Sequence, residues 1–508
     1  NLIEPETGTR TLFPPTHKID RTKTSSDGSG YAIIKINSKT DIVIDGGELD
    51  GNAANNGYYT EHDHGISIVN SSRITIRNLW IHDHSGDGIY ISNSDDILIE
   101  NCIIDVPNVN ASGPLVGRNG IAVVEGARIK IRNCYIRGGI PGGIDLETNG
   151  GDHVIEDVQI IGCTIESNAG YGISVNSANT VAGTTTTIKN ILIANNTIIN
   201  TYENAIDIMG AASAGNAYTY RVKVLNNTII DCLDSGAVRP GAVEIRGSAT
   251  YIDIRGNTIK GSGKCGIIAQ CHAAGLFRIV DNWVYNSQQH GIWLSNTSGN
   301  EENLNEVRGN RCEDNGQSAA NTYDGVYVQY SDYLLLSDNF CNGSQQRYGV
   351  QVVNSDYVTF GAIKAHNNAT AAFRIASSTH LDFPTAKQIL TATYPSLAAN
   401  QSWTGMMPDG STVNSIVVPF DGYIIAVGVK ASANVTAGSL TVRGEKNLSP
   451  TTTNSVTLNT SNPLTNYGYS LDPPKQVTAG ERVNLAIMSD AALLPAGSLN
   501  IIANVWMI

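Results

Sequence analysis

Between residues 65 and 354 the chain repeats one short phrase. A small residue opens it, alternating aliphatics follow, and after a break comes a second alternating strand with an Asn close behind. The phrase reads Gly65-Ile66-Ser67-Ile68 with Ile74-Thr75-Ile76-Arg77-Asn78, then Gly88-Ile89-Tyr90-Ile91 with Ile97-Leu98-Ile99-Glu100-Asn101. It returns as Gly120-Ile121-Ala122-Val123 with Ile129-Lys130-Ile131-Arg132-Asn133, and opens again at Gly143, Gly172, Ala205, Ala242, Gly266, Gly291, Gly325 and Gly349. The compact spacings are 23 residues from Gly65 to Gly88, 24 from Ala242 to Gly266, 25 from Gly266 to Gly291 and 24 from Gly325 to Gly349.

A period of this length calls for a solenoid. No phrase carries helical periodicity, and each holds several short strands of period two. A leucine-rich horseshoe needs a helix-like return that is missing here. A single-stranded parallel β-helix is the remaining simple solution, and the chain is expected to be all-β. Asn78, Asn101, Asn133, Asn196, Asn227, Asn257, Asn282, Asn310 and Asn339 read as one register, with Cys163 in place of Asn once. Stacked turns about 4.8 Å apart would let such amides bond their own backbone and the next amide.

Composition narrows the partners. Across 508 residues there are 51 Gly, only 16% charged residues and a net charge of -13 with no basic block, which argues against nucleic acid. No apolar stretch is long enough for a membrane-spanning helix, so no membrane insertion is expected. Asn1-Leu2-Ile3-Glu4-Pro5 does not read as a signal sequence. The eight Cys form no close pair and read as small, reduced core residues. No tetrahedral grouping for zinc is visible, and Gly138-Gly139-Ile140-Pro141-Gly142-Gly143 lacks the context of a phosphate loop. Neither a metal nor a cofactor is expected.

Residues 1–30 are polar and predicted to cap the open end of the solenoid. Residues 31–385 form the helix, with loops at 105–119, 231–241 and 313–324 before the phrase and at 176–187, 210–220 and 297–303 after its first strand. From about residue 386 to 508 the pattern changes to candidate strands at 416–418, 423–429, 439–442, 483–487 and 499–505. These predict a C-terminal β-sandwich, jelly-roll-like.

In each phrase the residue between the first two aliphatics faces outward. Down the stack that position reads Ser67, Tyr90, Ala122, Asp145, Ser174, Asp207, Glu244, Ile268, Trp293, Tyr327 and Gln351, and two places on lie Glu147 and Arg246. Acids therefore gather on a few coils of one sheet. With rungs about 4.8 Å apart, Asp207 and Glu244 should lie near ~5 Å and Asp145 and Asp207 near ~9.6 Å, close to the spacings of retaining and inverting glycoside hydrolysis. Asp207, Glu244 and Asp145 are the candidate catalytic residues. Glu147, Arg246, Tyr90, Trp293, Tyr327 and Arg239 are the candidate substrate-binding residues. Like charges stacked in a strand ladder are otherwise destabilising, although polar outward positions are the ordinary state of a sheet. A second cluster, Trp80-Ile81-His82-Asp83-His84-Ser85-Gly86-Asp87 beside His62-Asp63-His64, has a density of His and Asp suited to acid–base or metal chemistry. Arg118 and Glu166 are further candidates for the wall of a groove.

The Ile44-Asp45-Gly46-Gly47 to Asp50-Gly51-Asn52 opening and the repeated Gly-Ile-x-Ile / Asn-x-Ile phrases resemble the pectate-lyase-like family of right-handed parallel β-helices over roughly residues 30 to 380. With a sandwich after the helix, the chain looks most like a bacteriophage tailspike depolymerase. That resemblance implies a homotrimer on a virion tail spike, extracellular, or a secreted protein if not viral. It implies a bacterial capsular or O-antigen polysaccharide as partner and an endo-glycosidase using Asp and Glu on the helix surface. The C-terminal domain would then serve trimerisation or carbohydrate binding. The same superfamily also holds calcium-dependent lyases with an Arg base, so Arg246 beside Glu244 keeps β-elimination open, and a non-catalytic glycan-binding adhesin is the third reading. The Asp-Pro-His signature of the uronan epimerases is absent.

Overall fold

The computed structural model describes residues 3–13, 18–20, 32–53, 62–106, 117–139, 141–166, 168–177, 184–210, 216–232, 241–271, 276–297, 299–378 and 381–382, and chiefly the strands named below between 387 and 507. Every named element among them is a β-strand. Up to Leu381–Asp382 the strands fall into three sheets of 14, 13 and 13, and each sheet takes every third strand in chain order. All neighbours in these sheets are parallel, as Ile89–Ser92 is with His64–Val69 and with Ile121–Val123. We call the sheet from Arg10–Leu12 to Leu381–Asp382 sheet I, that from Lys18–Asp20 to Ile363–His366 sheet II, and that from Ala32–Asn37 to Ala371–Ala376 sheet III. One chain winding through three faces in turn is a parallel β-helix, as the repeat predicts.

Alternation builds the core. Ile66, Ile89, Ile121, Ile144, Ile173 and Ile206 are register partners from coil to coil and are all fully buried. Each such side chain contributes about 1.5–3 kcal/mol when removed from water. The small residue opening each phrase has a steric cause: a Cβ on Gly88 would lie 2.5 Å from the Gly120 carbonyl oxygen and 2.6 Å from Ile104 Cγ2. The segment expected to cap the helix already contributes rungs, since Arg10–Leu12 pairs with Val43–Asp45 and Lys18–Asp20 with Glu48–Asp50.

The Asn column divides into two. Asn196, Asn227, Asn257, Asn282, Asn310 and Asn339 are buried and form one amide ladder. Each of the first five donates its backbone N–H and side-chain amide to the Oδ1 of the next, at 2.8–3.0 Å. Asn78, Asn101 and Asn133 do not belong to that register. They are exposed, with φ of 57°, 55° and 51°, in the left-handed turn one residue earlier that Gly162, Asn195 and Gly256 occupy in other coils. Both positions favour Asn for different reasons, one for its amide and one for its tolerance of positive φ, so a one-residue slip passed unseen in the sequence. In those coils Cys102, Cys134 and Cys163 carry the buried ladder position, and their Sγ atoms lie 3.8–3.9 Å from carbonyl oxygens of the preceding coil.

The C-terminal strands form two five-stranded antiparallel sheets. Lys387–Leu397 pairs with Leu499–Met507, Thr404–Gly405 and Ser415–Val417 with Arg482–Ser489, Gly422–Ala431 with Thr465–Tyr469 and Lys475–Val477, and Leu440–Lys446 with Ser449–Leu458. These pairs nest from the outside inward, as in a long hairpin folded over itself. The first strand and the Thr-rich Ser449–Leu458 lack an aliphatic alternation and were not legible in the sequence.

The two Asn positions predict opposite mutational behaviour. Asn257→Ala strips acceptors from Asn227 inside the core and should cost at least ~2–3 kcal/mol. Asn101→Gly, at an exposed left-handed turn, should stay within about 0.5 kcal/mol of the parent in denaturant unfolding.

Candidate active site

Sheet III carries the outward column without a break. Ser67 pairs with Tyr90, Tyr90 with Ala122, Ala122 with Asp145, Asp145 with Ser174, Ser174 with Asp207, and Asp207 with Glu244. It continues through Ile268, Trp293, Tyr327 and Gln351 to Arg374. Asp207 and Glu244 are therefore direct neighbours, and Asp145 stands two rungs from Asp207. Glu147 lies two residues beyond Asp145 in its strand, and Arg246 is the register partner of Met209.

The acids are not a solvated face. Asp145, Asp207 and Glu244 are 4%, 1% and 1% exposed, although strand parity turns them away from the aliphatic core. Burying a carboxylate costs several kcal/mol unless partners replace its water, and the partners are specific. Arg246 Nη2 lies 2.8 Å from Asp207 Oδ2, and its Nε lies 3.9 Å from Glu244 Oε1. The Asn204 amide donates to Glu244 Oε2 at 3.0 Å. Asn119 donates its amide to Asp145 Oδ2 at 3.3 Å and to Asp87 Oδ1 at 3.3 Å. Burial, aided by the charge of Glu147, pushes the Asp145 carboxyl up to about 7 against opposing hydrogen bonds from Tyr171 and Ser174. Burial also raises Glu147, with Arg118 opposing. Two kinds of carboxyl group thus share one face: one that keeps a proton near neutral pH and one held against a guanidinium.

Asn119, Tyr171 and Asn204 belong to a column that sequence reading passed over, the residue just before each phrase's opening small residue. Its signal was polarity where the rest of the phrase is apolar. The same column builds one arrangement twice. His64 Nδ1 accepts the backbone N–H of Asp87 at 3.1 Å, and His290 Nδ1 accepts that of Asp324 at 3.0 Å. Tyr90 stacks on His64 at 4.6 Å and 7°, and Tyr327 on His290 at 4.7 Å and 19°. Burial drives both imidazoles down to about 3, so they are neutral rings. Arg118 stands 3.9 Å from Asp87, whereas Arg347 grips Asp324 at 3.0 and 2.9 Å. One face of Tyr90 and of Tyr327 is therefore already covered. Trp293 and Tyr327 lie 6.3 Å apart at 26°.

The second sequence cluster is dispersed. His64 and Asp87 line sheet III, and His84 is fully buried with Nδ1 2.8 Å from the Gly86 carbonyl. His82 stands on sheet II, 2.8 Å from Asp83 through Nδ1 and 3.1 Å from Glu48 through Nε2. Ligand atoms of Glu48, Asp50 and His82 lie within 4.8 Å of one another. The two ring nitrogens face different acids, Asp83 and Glu48. Tyr135 hydrogen-bonds Glu166, also on sheet II. Arg239 lies outside the described residues, as does much of the loop sequence next to the strands of sheet III, at 107–116, 178–183, 211–215 and 233–240.

These features define a single-stranded parallel β-helix with a buried carboxylate cluster and an aromatic platform on one sheet. Residues 15–238, 119–274 and 241–387 match the model of the right handed beta helix region, and the chain belongs to that family. Among solved structures it is similar to the tailspike protein of E. coli bacteriophage HK620. A single-site variant of that protein with a pentasaccharide gives a TM-score of 0.49 at 11% identity, covering 91% of this chain and 76% of that one. A double variant gives 0.46 at 11%, covering 96% and 87%, and the unsubstituted protein with a pentasaccharide 0.43 at 10%, covering 91% and 76%. No curated protein matches the sequence.

Asp145 makes stability depend on pH in a defined direction. Its carboxyl is raised from 3.8 to about 7 in the folded chain, so the folded state holds an extra proton between about pH 4 and pH 7, and stability falls as pH rises through that window. Asp145→Asn removes this dependence. The stability of the parent relative to the variant should decline from pH 4 to pH 8 by on the order of 4 kcal/mol, read from apparent Tm across the range.

Proposed function

We propose that this chain is an endo-glycosidase that hydrolyses a bacterial capsular or O-antigen polysaccharide lying along sheet III. The observation that carries the reading is the buried column of carboxylates in which Asp145 is raised to about 7 while Asp207 is paired with Arg246 at 2.8 Å. Asp145 gives its proton to the glycosidic oxygen. Asp207, paired with Arg246 at 2.8 Å, takes a proton from the water that attacks the anomeric carbon. Two rungs correspond to about 9.6 Å, at the wide edge of the inverting range. Glu244, Glu147 and Arg246 hold the sugars around the broken bond, and Tyr90, Trp293 and Tyr327 offer ring faces. Direct pairing of Asp207 with Glu244 favours a second reading, in which those two act at about one rung as a retaining pair.

Following the sequence resemblance to tailspike depolymerases, we place the protein on a virion tail spike as a homotrimer. The nested strand pairing after residue 386 supports a jelly-roll sandwich there, acting as the trimer clasp or as an added carbohydrate-binding module. Light scattering should report three chains per particle, and one chain after removal of residues 386–508 if the sandwich is the clasp.

The activity is tested by digesting a panel of purified capsular and O-antigen polysaccharides while following product size, new reducing ends and ultraviolet absorbance. Hydrolysis predicts shorter chains with new reducing ends and no absorbance gain. Asp145→Asn, Asp207→Asn or Glu244→Gln should each slow it by about 10²-fold or more. Inversion at the anomeric carbon, seen by NMR of the first product, selects Asp145 and Asp207; retention selects Asp207 and Glu244. Rising absorbance would replace hydrolysis by elimination through Arg246. Binding without shortening on the true receptor would leave an adhesin.

A further inference from the structure

The arrangement that sheet III builds twice is not repeated in full, and the difference falls at Asp145. In both sets the residue just before an opening glycine caps the acid one coil earlier. Asn119 donates its backbone N–H to Asp87 Oδ1 at 3.0 Å, and Tyr348 donates its own to Asp324 Oδ1 at 3.1 Å. In both, an arginine one residue earlier approaches the same acid, Arg118 at 3.9 Å and Arg347 at 3.0 and 2.9 Å. The backbone bond is therefore common to the two sets. The residue two rungs beyond the tyrosine is not: the column runs Tyr90, Ala122, Asp145 in the first set and Tyr327, Gln351, Arg374 in the second. Of the two, only the set with an acid in third place has an Asn at the capping position.

Asn119 links three coils. Its side-chain amide donates to Asp87 Oδ1 on one side and to Asp145 Oδ2 on the other, both at 3.3 Å. Ala122, the outward residue between Tyr90 and Asp145, offers only a methyl group. The Asn119 Oδ1 is left buried with no partner among the described residues, a cost that packing alone does not call for. Because Asp145 Oδ2 accepts the amide, the hydroxyl of the neutral acid falls on Oδ1, which is likewise buried with no hydrogen-bond partner among the described residues. Glu147 and Asp87 favour that neutral form, and the hydroxyls of Tyr171 and Ser174 oppose it. Around Asp87 stand Arg118, Tyr90 and the neutral His64 ring. His64 Nδ1 accepts the Asp87 backbone N–H, so it carries no proton toward the carboxylate 3.4 Å away.

We propose that Asp87 and Asn119 are positioning residues for the general acid, Asn119 turning the Asp145 carboxyl so that its proton sits on Oδ1 and Asp87 holding that amide in place. The proposal rests on the hydrolase reading above and adds the device that decides which carboxyl group starts as the acid. Asp87 acts a second way, by setting a like charge near the group. On cleavage the Oδ1 proton passes to the glycosidic oxygen, which keeps the electron pair of the broken C–O bond. The Asn119 amide then receives the new carboxylate, and the charge of Asp87 favours the return of a proton from water.

The test titrates Asp145 in the full chain without substrate. The infrared C=O band of its neutral carboxyl, taken as the difference from the same chain carrying Asp145→Asn, should be lost at about pH 7. Asp87→Asn keeps the shape and removes the charge, and should bring that midpoint down by about one pH unit. Asn119→Leu keeps the volume and removes a donor that favours the carboxylate, so it should move the midpoint up. Asp324→Asn breaks into the matching set and should leave the midpoint unchanged. In hydrolysis, the alkaline limb of kcat/KM should move with the midpoint, down in Asp87→Asn and up in Asn119→Leu. If Asp87→Asn and Asn119→Leu lower the apparent Tm but leave the midpoint at its parent value, both residues serve the fold alone and the proposal is overturned. A midpoint moved as far by Asp324→Asn would overturn it as well. No bond is broken in the titration, so its failure is distinct from a failure of the polysaccharide digestion.

Discussion

Coil-to-coil backbone pairing is the constraint on which everything else depends. A parallel ladder accepts only strands that present the same backbone at the same rung, so each coil must return the chain to a fixed starting point. The Gly88 contact with the Gly120 carbonyl is one place where that return is enforced, because a Cβ there would meet the next coil's backbone at 2.5 Å. Once the returns are fixed, the side chains fall into columns without further instruction. Inward columns become a continuous aliphatic core, and outward columns become lines of chemistry spaced by the backbone itself.

The buried amide ladder serves the same constraint from inside. An Asn at a turn must replace the water its amide loses, and copies of itself one rung away together with backbone carbonyls do so: Asn257 receives two donations from Asn227, makes two to Asn282 and donates to the Val224 carbonyl. Where the ladder passes to Cys163, Cys134 and Cys102 the position remains buried, but a thiol is a weaker partner. The helix is thus stitched by amides in its later coils and by packing in its earlier ones. All eight cysteines are free and buried, so no disulfide contributes.

Much of this was legible because period-two alternation fixes which residues face outward, and a parallel ladder turns that parity into neighbours. Asp207 beside Glu244, and Asp145 two rungs away, followed from counting. What counting could not give was burial. A residue turned away from the core is expected to meet water, yet the outward acids are closed off by neighbouring side chains such as Tyr171 and Asn119, from the column just before each opening small residue, which the alternation of the phrase does not predict. The ladder register slipped for Asn78, Asn101 and Asn133 because a left-handed turn and a buried amide position favour the same residue side by side. His64 opens a strand of sheet III and His82 closes one of sheet II, while His84 is buried in the turn that follows.

The unbroken column has a consequence for how such a protein changes over time. Each coil pairs only with the coils before and after it, so the distance from the carboxylates to the Trp293 and Tyr327 platform is set by a whole number of rungs, not by the details of either site. Gain or loss of one coil around Ile268 would lengthen or shorten the molecule by one step while leaving both chemistries intact. The face is in this sense a ruler, and its graduation is the spacing of paired strands. Changing that spacing requires no redesign of either end, only a change in the count of turns between them.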